Sequence, residues 1–209
     1  MNITWHGNSL FRILVQKDRN GSVDIATNPF SKETGLKPGK MKADILLLSN
    51  EKFLPFSKDV SGEPFLVSSP GEYEIKEVFI RGIGPKNGEI LYVVEAEGIN
   101  ICFLGEIKEK ELKAEEIDMI GDIDILMIPV GGGTTIDSKG AAQIIAQIEP
   151  RIVVPMNYKV PGLKEKKESV EAFLKAMGLN SREKTAKLSI KKKDISPEGE
   201  TEVIILECK

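Results

Sequence analysis

Histidine is nearly missing from this chain. His6 is the single one among 209 residues, and cysteine is almost as scarce, with Cys102 and Cys208 alone. One imidazole cannot replace the cluster of nitrogen ligands that a catalytic zinc requires. The two cysteines lie inside strand-like patterns, "INICFLG" and "TEVIILEC", rather than in a CxxC pair. Neither a zinc knuckle nor a disulfide framework is indicated, and both read as buried free thiols. An excess of one charge is missing too: 29 Lys and Arg stand against 32 Asp and Glu, a net charge of −3. Nothing in that balance attracts nucleic acid or an anionic membrane. No window reaches the ~18 apolar residues of a membrane span, and "MNITWHGNSLFRI" lacks the basic stretch and apolar run of an export signal. The expectation is a cytoplasmic globular protein without a nucleic-acid or membrane partner. Linkers, internal repeats and low-complexity tracts are also missing, so one domain over 1–209 is expected.

What is present is mostly strand in the first half. "ITW", "FRILVQ" and "VDIAT" are short runs separated by "GNS" and "KDRNGS", turn chemistry that joins neighbouring antiparallel strands into a meander. "ADILLLS" is too continuously apolar for a half-exposed strand and fits one buried on both faces. "PFLVSS", "YEIKEVFIRGI", "EILYVVEAEG" and "INICFLG" follow as further strands, with "AEGI" as a tight turn. "DIDILMIPV" and "RIVVPM" are two more buried runs, each preceded by a helix-like segment. The first helix is expected around 109–120. The second begins behind Asp137 as N-cap and stops before Pro150. The third, about 166–177, places Val170, Phe173, Leu174 and Met177 on one face, with Gly178 at the C′ position. "AKLSIKKKDI" and "TEVIILEC" read as a closing pair of strands around "SPEGE". Sheets covered by helices, an α/β (α+β) sandwich rather than a doubly wound fold, is the architecture these elements imply.

Several stretches suggest chemistry and have plainer readings. "GGGTTIDSKG" could cradle a phosphate, but it lacks the GxxxxGK[ST] order and reads more simply as a glycine-rich turn leading to a capped helix. His6 with Cys102 as a nucleophile pair would need an orienting group and a thiolate environment that nothing announces. "KLSIKKKD" fits a solvated edge strand protected by lysines, and "KEKELKAEE" an exposed helix face laced with opposite charges. In "SPGEYEI", Gly71 suits a turn, and Glu72 and Tyr73 are given structural roles.

A resemblance goes further. "ITWHGNSLFRI", "ATNPFS", "ADILLLSNEKF", "SPGEYEI..VFIRGI", "FLGE", "DIDILMIPVGG" and "IEPRIVVPMNYKVPG", in that order and spacing, resemble the metallo-β-lactamase-fold hydrolases, in particular the branch similar to ascorbate-6-phosphate lactonase. The resemblance covers nearly the whole chain and implies a four-layer αββα sandwich with a metal site at one edge. Members of that family carry a GHS near the start, an Asp in a DPF, an HxHxDH loop, a Gly-Asp after a later strand and a PMHY near the end. This chain departs from each of these. Gly7-Asn8-Ser9 stands for GHS, Asn28-Pro29-Phe30 for DPF, Gly105-Glu106 for Gly-Asp and Pro155-Met156-Asn157-Tyr158 for PMHY. Asn50, Lys52, Leu54 and Pro55 fall on the ligand positions of HxHxDH. The stretch "RGIGPKNGEILYVV" is shorter than the family's, which tends to carry another histidine there.

The degenerate metal-site positions are therefore Asn8, Asn28, Asn50, Lys52, Leu54, Pro55, Glu106 and Asn157, and Glu106 alone remains a good ligand. Carboxamides, an ammonium group, leucine and proline cannot hold a catalytic zinc. A lone carboxylate with asparagines could hold calcium or magnesium weakly, but Lys52 brings a positive charge into that space. Zinc belongs to the relatives and no cofactor is expected here. The expected replacement for the ion is Lys52, its ammonium within about 4 Å of Glu106 or of an asparagine amide oxygen. The reading that follows is a metal-free pseudoenzyme with a binding or assembly role, its partner a protein or small molecule and a homo-oligomer among its expected states. The alternative is a hydrolase of a phosphorylated or lactone-like small molecule, with a rebuilt site around Glu106, Asn50, Asn157 and Lys52.

Overall fold

The computed structural model describes residues 1–17, 21–86, 88–196 and 199–209. Parts of the turn stretches "KDRNGS", "PKNGE" and "SPEGE" lie outside the described residues. The opening meander consists of β1 (Asn2–Trp5), β2 (Phe11–Lys17) and β3 (Gly21–Thr27), paired antiparallel in sequence order. After a short β4 (Met41–Lys42), β5 (Ile45–Leu47) adds parallel to β3, with every residue buried as its unbroken apolar run demands. β6 (Val60–Ser61) pairs with β4, and β7 (Phe65–Val67) lies parallel to β5 at the sheet edge.

The second large sheet starts with β8 (Gly71–Ile75), β9 (Val78–Lys86), β10 (Glu89–Ala96) and β11 (Ile99–Phe103), all antiparallel neighbours. "YEIKEVFIRGI" is thus two strands and not one. Lys76 and Glu77 take φ of 51° and 65°, the two positive values of a hairpin turn that no glycine signals. Glu97 and Gly98 do the same at "AEGI". Then α1 (Ala114–Ile120), β12 (Ile125–Pro129), α2 (Ser138–Ile148) and β13 (Ile152–Met156) continue the sheet with parallel pairing, β12 beside β11 and β13 beside β12. Asp137 caps α2 by accepting from Gly140 N at 2.8 Å. α3 spans Val170–Ala176, a turn later than the periodicity predicts. The residues before it are held extended against the glycine-rich loop: Glu168 N donates to Gly131 O at 2.7 Å and the Lys167 ammonium to Gly132 O at 3.3 Å.

The C-terminal strands do not form the expected pair. β14 (Lys184–Thr185) lies parallel to β17 (Ile205–Leu206), β15 (Leu188–Ser189) extends the six-stranded sheet beside β1, and β16 (Glu202–Val203) extends the seven-stranded sheet beside β13. β15 and β16 thus each take an open edge of a different large sheet while β14 and β17 pair with each other, which local sequence cannot specify. The six-stranded order is β15-β1-β2-β3-β5-β7 and the seven-stranded order is β16-β13-β12-β11-β10-β9-β8. Buried side chains of both sheets, Ile25 and Leu46 with Tyr92, Ile101 and Val154 among them, belong to one apolar cluster. No helix among the described residues is long and apolar enough to cross a membrane.

Candidate functional site

The parallel strands of the two sheets release their chains at one edge of the molecule. Asn28 follows β3; Ser49 and Asn50 follow β5; Gly105 and Glu106 follow β11; Asn157 follows β13. The turn between β1 and β2 adds Asn8 and Ser9, and β10 begins with Glu89. Strand ends are rigid supports for loop residues, so this edge is where the fold can hold a constellation in place.

The backbone explains three of the asparagines. Asn8, Asn28 and Asn157 have φ of 44°, 34° and 58°, left-handed values that asparagine tolerates better than most residues. Asn157 N donates to Asn8 O at 3.1 Å and the Trp5 indole donates to the same carbonyl at 2.9 Å, tying the two loops together. Trp5 stacks at a tilt on Tyr158, with ring centres 4.7 Å apart. Asn50 has a different task. It is extended, caps the 3₁₀ segment Glu51–Asp59 by accepting from Lys52 N at 3.0 Å, and donates to Gly88 O at 2.8 Å.

At the centre two glutamates accept from Lys52, Ser9, Asn157, Ser49 and the Glu106 backbone N–H. Glu106 Oε2 accepts from the Lys52 ammonium at 2.6 Å, while its Oε1 accepts from Ser9 Oγ at 3.2 Å and from Asn157 Nδ2 at 3.0 Å. Glu89, almost fully buried, accepts at Oε2 from Ser49 Oγ at 2.8 Å and from Glu106 N at 3.1 Å; its Oε1 stands 3.9 Å from the Lys52 ammonium. Asn28 connects the two branches. Its Oδ1 accepts from Ser49 N at 2.8 Å, so its amide nitrogen must point the other way, donating to Ser49 Oγ at 2.8 Å and Ser9 Oγ at 3.2 Å. The direction of donation therefore runs from Asn28 through both serines to the two carboxylates. Burial pushes the Glu89 carboxyl above the usual range, partly offset by its bonds to Ser49 and Glu106 N and by the Lys52 charge. Lys52 also lies over the Phe53 ring, 5.0 Å from its centre.

Sequence reasoning places Asn8, Asn28, Asn50, Lys52, Leu54, Pro55, Glu106 and Asn157 on the degenerate ligand positions. The fold brings Asn28, Lys52, Glu106 and Asn157 into one bonded network, with Asn8 and Asn50 bracing its loops. It does not bring in Leu54, which is 48% exposed, or Pro55, which faces another cavity. The 3₁₀ winding of Glu51–Asp59 turns those two away. Glu89, Ser9 and Ser49 were missed as members. The available signal for Glu89 was its place just after the Asn-Gly of the shortened stretch, a charged residue opening the apolar run "ILYVV". His6 stands apart: its Nε2 lies 3.2 Å from Thr4 Oγ1, and burial together with the nearby Lys209 and Arg12 charges pushes its pKa down to about 4. Cys102 is buried in β11 with its thiol pushed up to about 12, which leaves it no thiolate character near neutrality.

These residues do not fit a catalytic zinc. Among the described residues no group of three or more His, Cys, Asp and Glu side chains converges on one point. The Glu106 oxygen best placed to ligate is instead engaged by an ammonium at 2.6 Å, and a divalent cation there would face that charge directly.

Comparison with known proteins agrees with the geometry of the fold. Residues 2–157 match the family described as beta-lactamase superfamily domain. A UPF0173 metal-dependent hydrolase of Thermococcus onnurineus is 39% identical over 70 residues, covering 32% of this chain and 30% of its own length. A UPF0173 protein of Pyrococcus abyssi is 25% identical over 194 residues, covering 78% of this chain and 85% of its own. Among solved structures, a proposed Zn-dependent hydrolase of the metallo-β-lactamase superfamily from Thermotoga maritima superposes with a TM-score of 0.82 at 29% identity, covering 99% of this chain and 98% of that one. The chain spans about a third of the length of the first curated relatives it matches.

Proposed function

The chain belongs to the beta-lactamase superfamily domain family, and we propose that it is a metal-free member whose centre is closed by Lys52 and Glu106 and which acts by binding or assembly rather than by hydrolysis. One observation carries this reading: an ammonium lies 2.6 Å from the single carboxylate left on a ligand position. Its charge does for Glu106 what a cation would otherwise do, offsetting the cost of a half-buried carboxylate. Ser9 and Asn157 complete the coordination of Glu106 Oε1 with neutral donors, so this carboxylate is satisfied without an ion, while the buried Asn8 Oδ1 beside it has no hydrogen-bond partner among the described residues.

A second reading is kept because two observations favour it. Relatives are named metal-dependent or Zn-dependent hydrolases. In addition, Glu89 holds its proton more tightly than an ordinary glutamate and its carboxyl accepts from the backbone N–H of Glu106 at 3.1 Å, which puts a raised carboxyl beside the centre. On this reading the chain is a hydrolase of a phosphorylated or lactone-like molecule built on Glu106, Asn50, Asn157 and Lys52, with the raised Glu89 carboxyl beside them. The deciding experiment is elemental analysis of protein purified without chelator, followed by a screen against generic phosphoester, lactone and β-lactam substrates. The metal-free reading expects substoichiometric metal, no turnover and an unchanged thermal midpoint in strong chelator. Stoichiometric zinc, or turnover lost in Glu106→Ala, overturns it in favour of the hydrolase.

A further inference from the structure

A cavity of about 520 Å³ lies beside the centre and shares none of its bonded residues. Its position follows from the chain: Leu10 is next to Ser9, Pro29 is next to Asn28, and the segment Glu51–Asp59 that carries Lys52 toward Glu106 turns Pro55, Phe56 and Lys58 the other way. The floor is apolar, with Leu10, Phe30, Met41 and Val60 all buried. The rim is cationic. Lys32, Lys40 and Lys58 are exposed and line the cavity together, and Asp59 is the single carboxylate among the lining residues.

None of the three lysines has an ion-pair or side-chain hydrogen-bond partner among the described residues, although lysines elsewhere on the chain are paired with acids, as at Lys76–Asp44, Lys110–Asp137 and Lys192–Asp124. Three unpaired ammonium groups lining one cavity, against the single carboxylate of Asp59, repel each other. A bound anion relieves that repulsion, and the buried apolar floor rewards an anion that carries a hydrophobic body. The volume is that of a small-molecule pocket, too small for a folded partner.

We infer that this cavity is a binding site for a small amphipathic anion, a compact aromatic or aliphatic body ending in a sulfonate, carboxylate or phosphate, with the body on Leu10, Phe30, Met41 and Val60 and the charge held by Lys32, Lys40 and Lys58. This site is separate from the Lys52–Glu106 centre, and its occupancy does not depend on whether that centre is inert.

The test is calorimetric titration of the full chain at low salt with 1-naphthalenesulfonate, alongside 1-naphthylmethanol as the body alone and sulfate as the charge alone. The expected result is saturable one-site binding of the sulfonate, at least about tenfold tighter than either half. Raising the salt concentration weakens it, because the rim charges are exposed and screened. The combined variant Lys32→Ala, Lys40→Ala, Lys58→Ala has a thermal midpoint no lower than the wild type, since none of the three is paired and their repulsion is removed, and loses about tenfold or more in affinity. Phe56→Ala, on the half-buried wall, weakens the sulfonate and leaves sulfate unchanged. Binding that the triple-lysine variant retains, equal binding of sulfate and the sulfonate, or no saturation up to about 10 mM overturns the inference.

Discussion

Gly105 and Ser49 stand so close that a Cβ on the glycine would lie 2.6 Å from both Cβ and Oγ of the serine. It would also come within 3.0 Å of Glu89 Oε2, and Gly105 sits at φ +59°. Gly105→Ala is expected to displace Ser49, break its bond to Glu89 and lower stability by about 1–3 kcal/mol, read as a shifted urea midpoint. An unchanged midpoint would show that the two loops can separate freely, against the tight network described.

The ion pair between Lys52 and Glu106 should be measurable by a double-mutant cycle. Lys52→Ala is expected to destabilise more than Lys108→Ala, an exposed lysine elsewhere, and adding Glu106→Gln should recover part of the loss. Because Lys52 is 47% exposed, solvent screening holds the coupling to about 1 kcal/mol. Strictly additive losses would remove Lys52 from the role of replacement ion.

Glu89 should make the protein less stable as pH rises through the acid range. Burial raises its carboxyl above 4.5 in the folded state, so the folded chain holds a proton that the unfolded chain has released. Its stabilising contribution is complete below 4.5 and is lost as pH climbs through the raised value. Glu89→Gln is expected to remove that decline, seen by comparing urea midpoints of the two proteins between about pH 4 and pH 7. Parallel curves would refute it.

His6 acts with the opposite sign. Its folded value of about 4 lies below 6.5, so the neutral ring stabilises the fold fully above 6.5, and that contribution disappears as pH falls toward 4. As the single histidine, it gives one unambiguous imidazole resonance in an NMR titration. A midpoint near 6.5 in the folded protein would mean that the ring is solvated. His6→Asn should flatten this acid loss, to which Glu89 contributes with the opposite sign.

Local pattern carried much of the fold. The alternation in "FRILVQ", the continuous apolar run of "ADILLLS" and the Asp137 cap each specify their element through interactions within a few residues, and each is found where it is expected. Where the reading failed, distant partners decided. Lys76 and Glu77 turn a hairpin without glycine, α3 starts late because Glu168 bonds Gly131, and the last strands go to separate sheet edges.

The same division holds at the candidate site. Sequence alone determined that a histidine-rich or cysteine-rich ligand cluster is missing, because the chain holds one histidine and two strand cysteines wherever it folds. The family resemblance marked Asn8, Asn28, Asn50, Lys52, Leu54, Pro55, Glu106 and Asn157, of which Asn28, Lys52, Glu106 and Asn157 proved to be four that share a network. Only the tertiary structure decided that these four meet, that Leu54 and Pro55 do not join them, and that Glu89, Ser9 and Ser49 do. The reason is geometric: hydrogen bonds act over about 3 Å, and the strand ends that bring Lys52 to Glu106 and Ser49 to Glu89 are 54 and 40 residues apart in the chain.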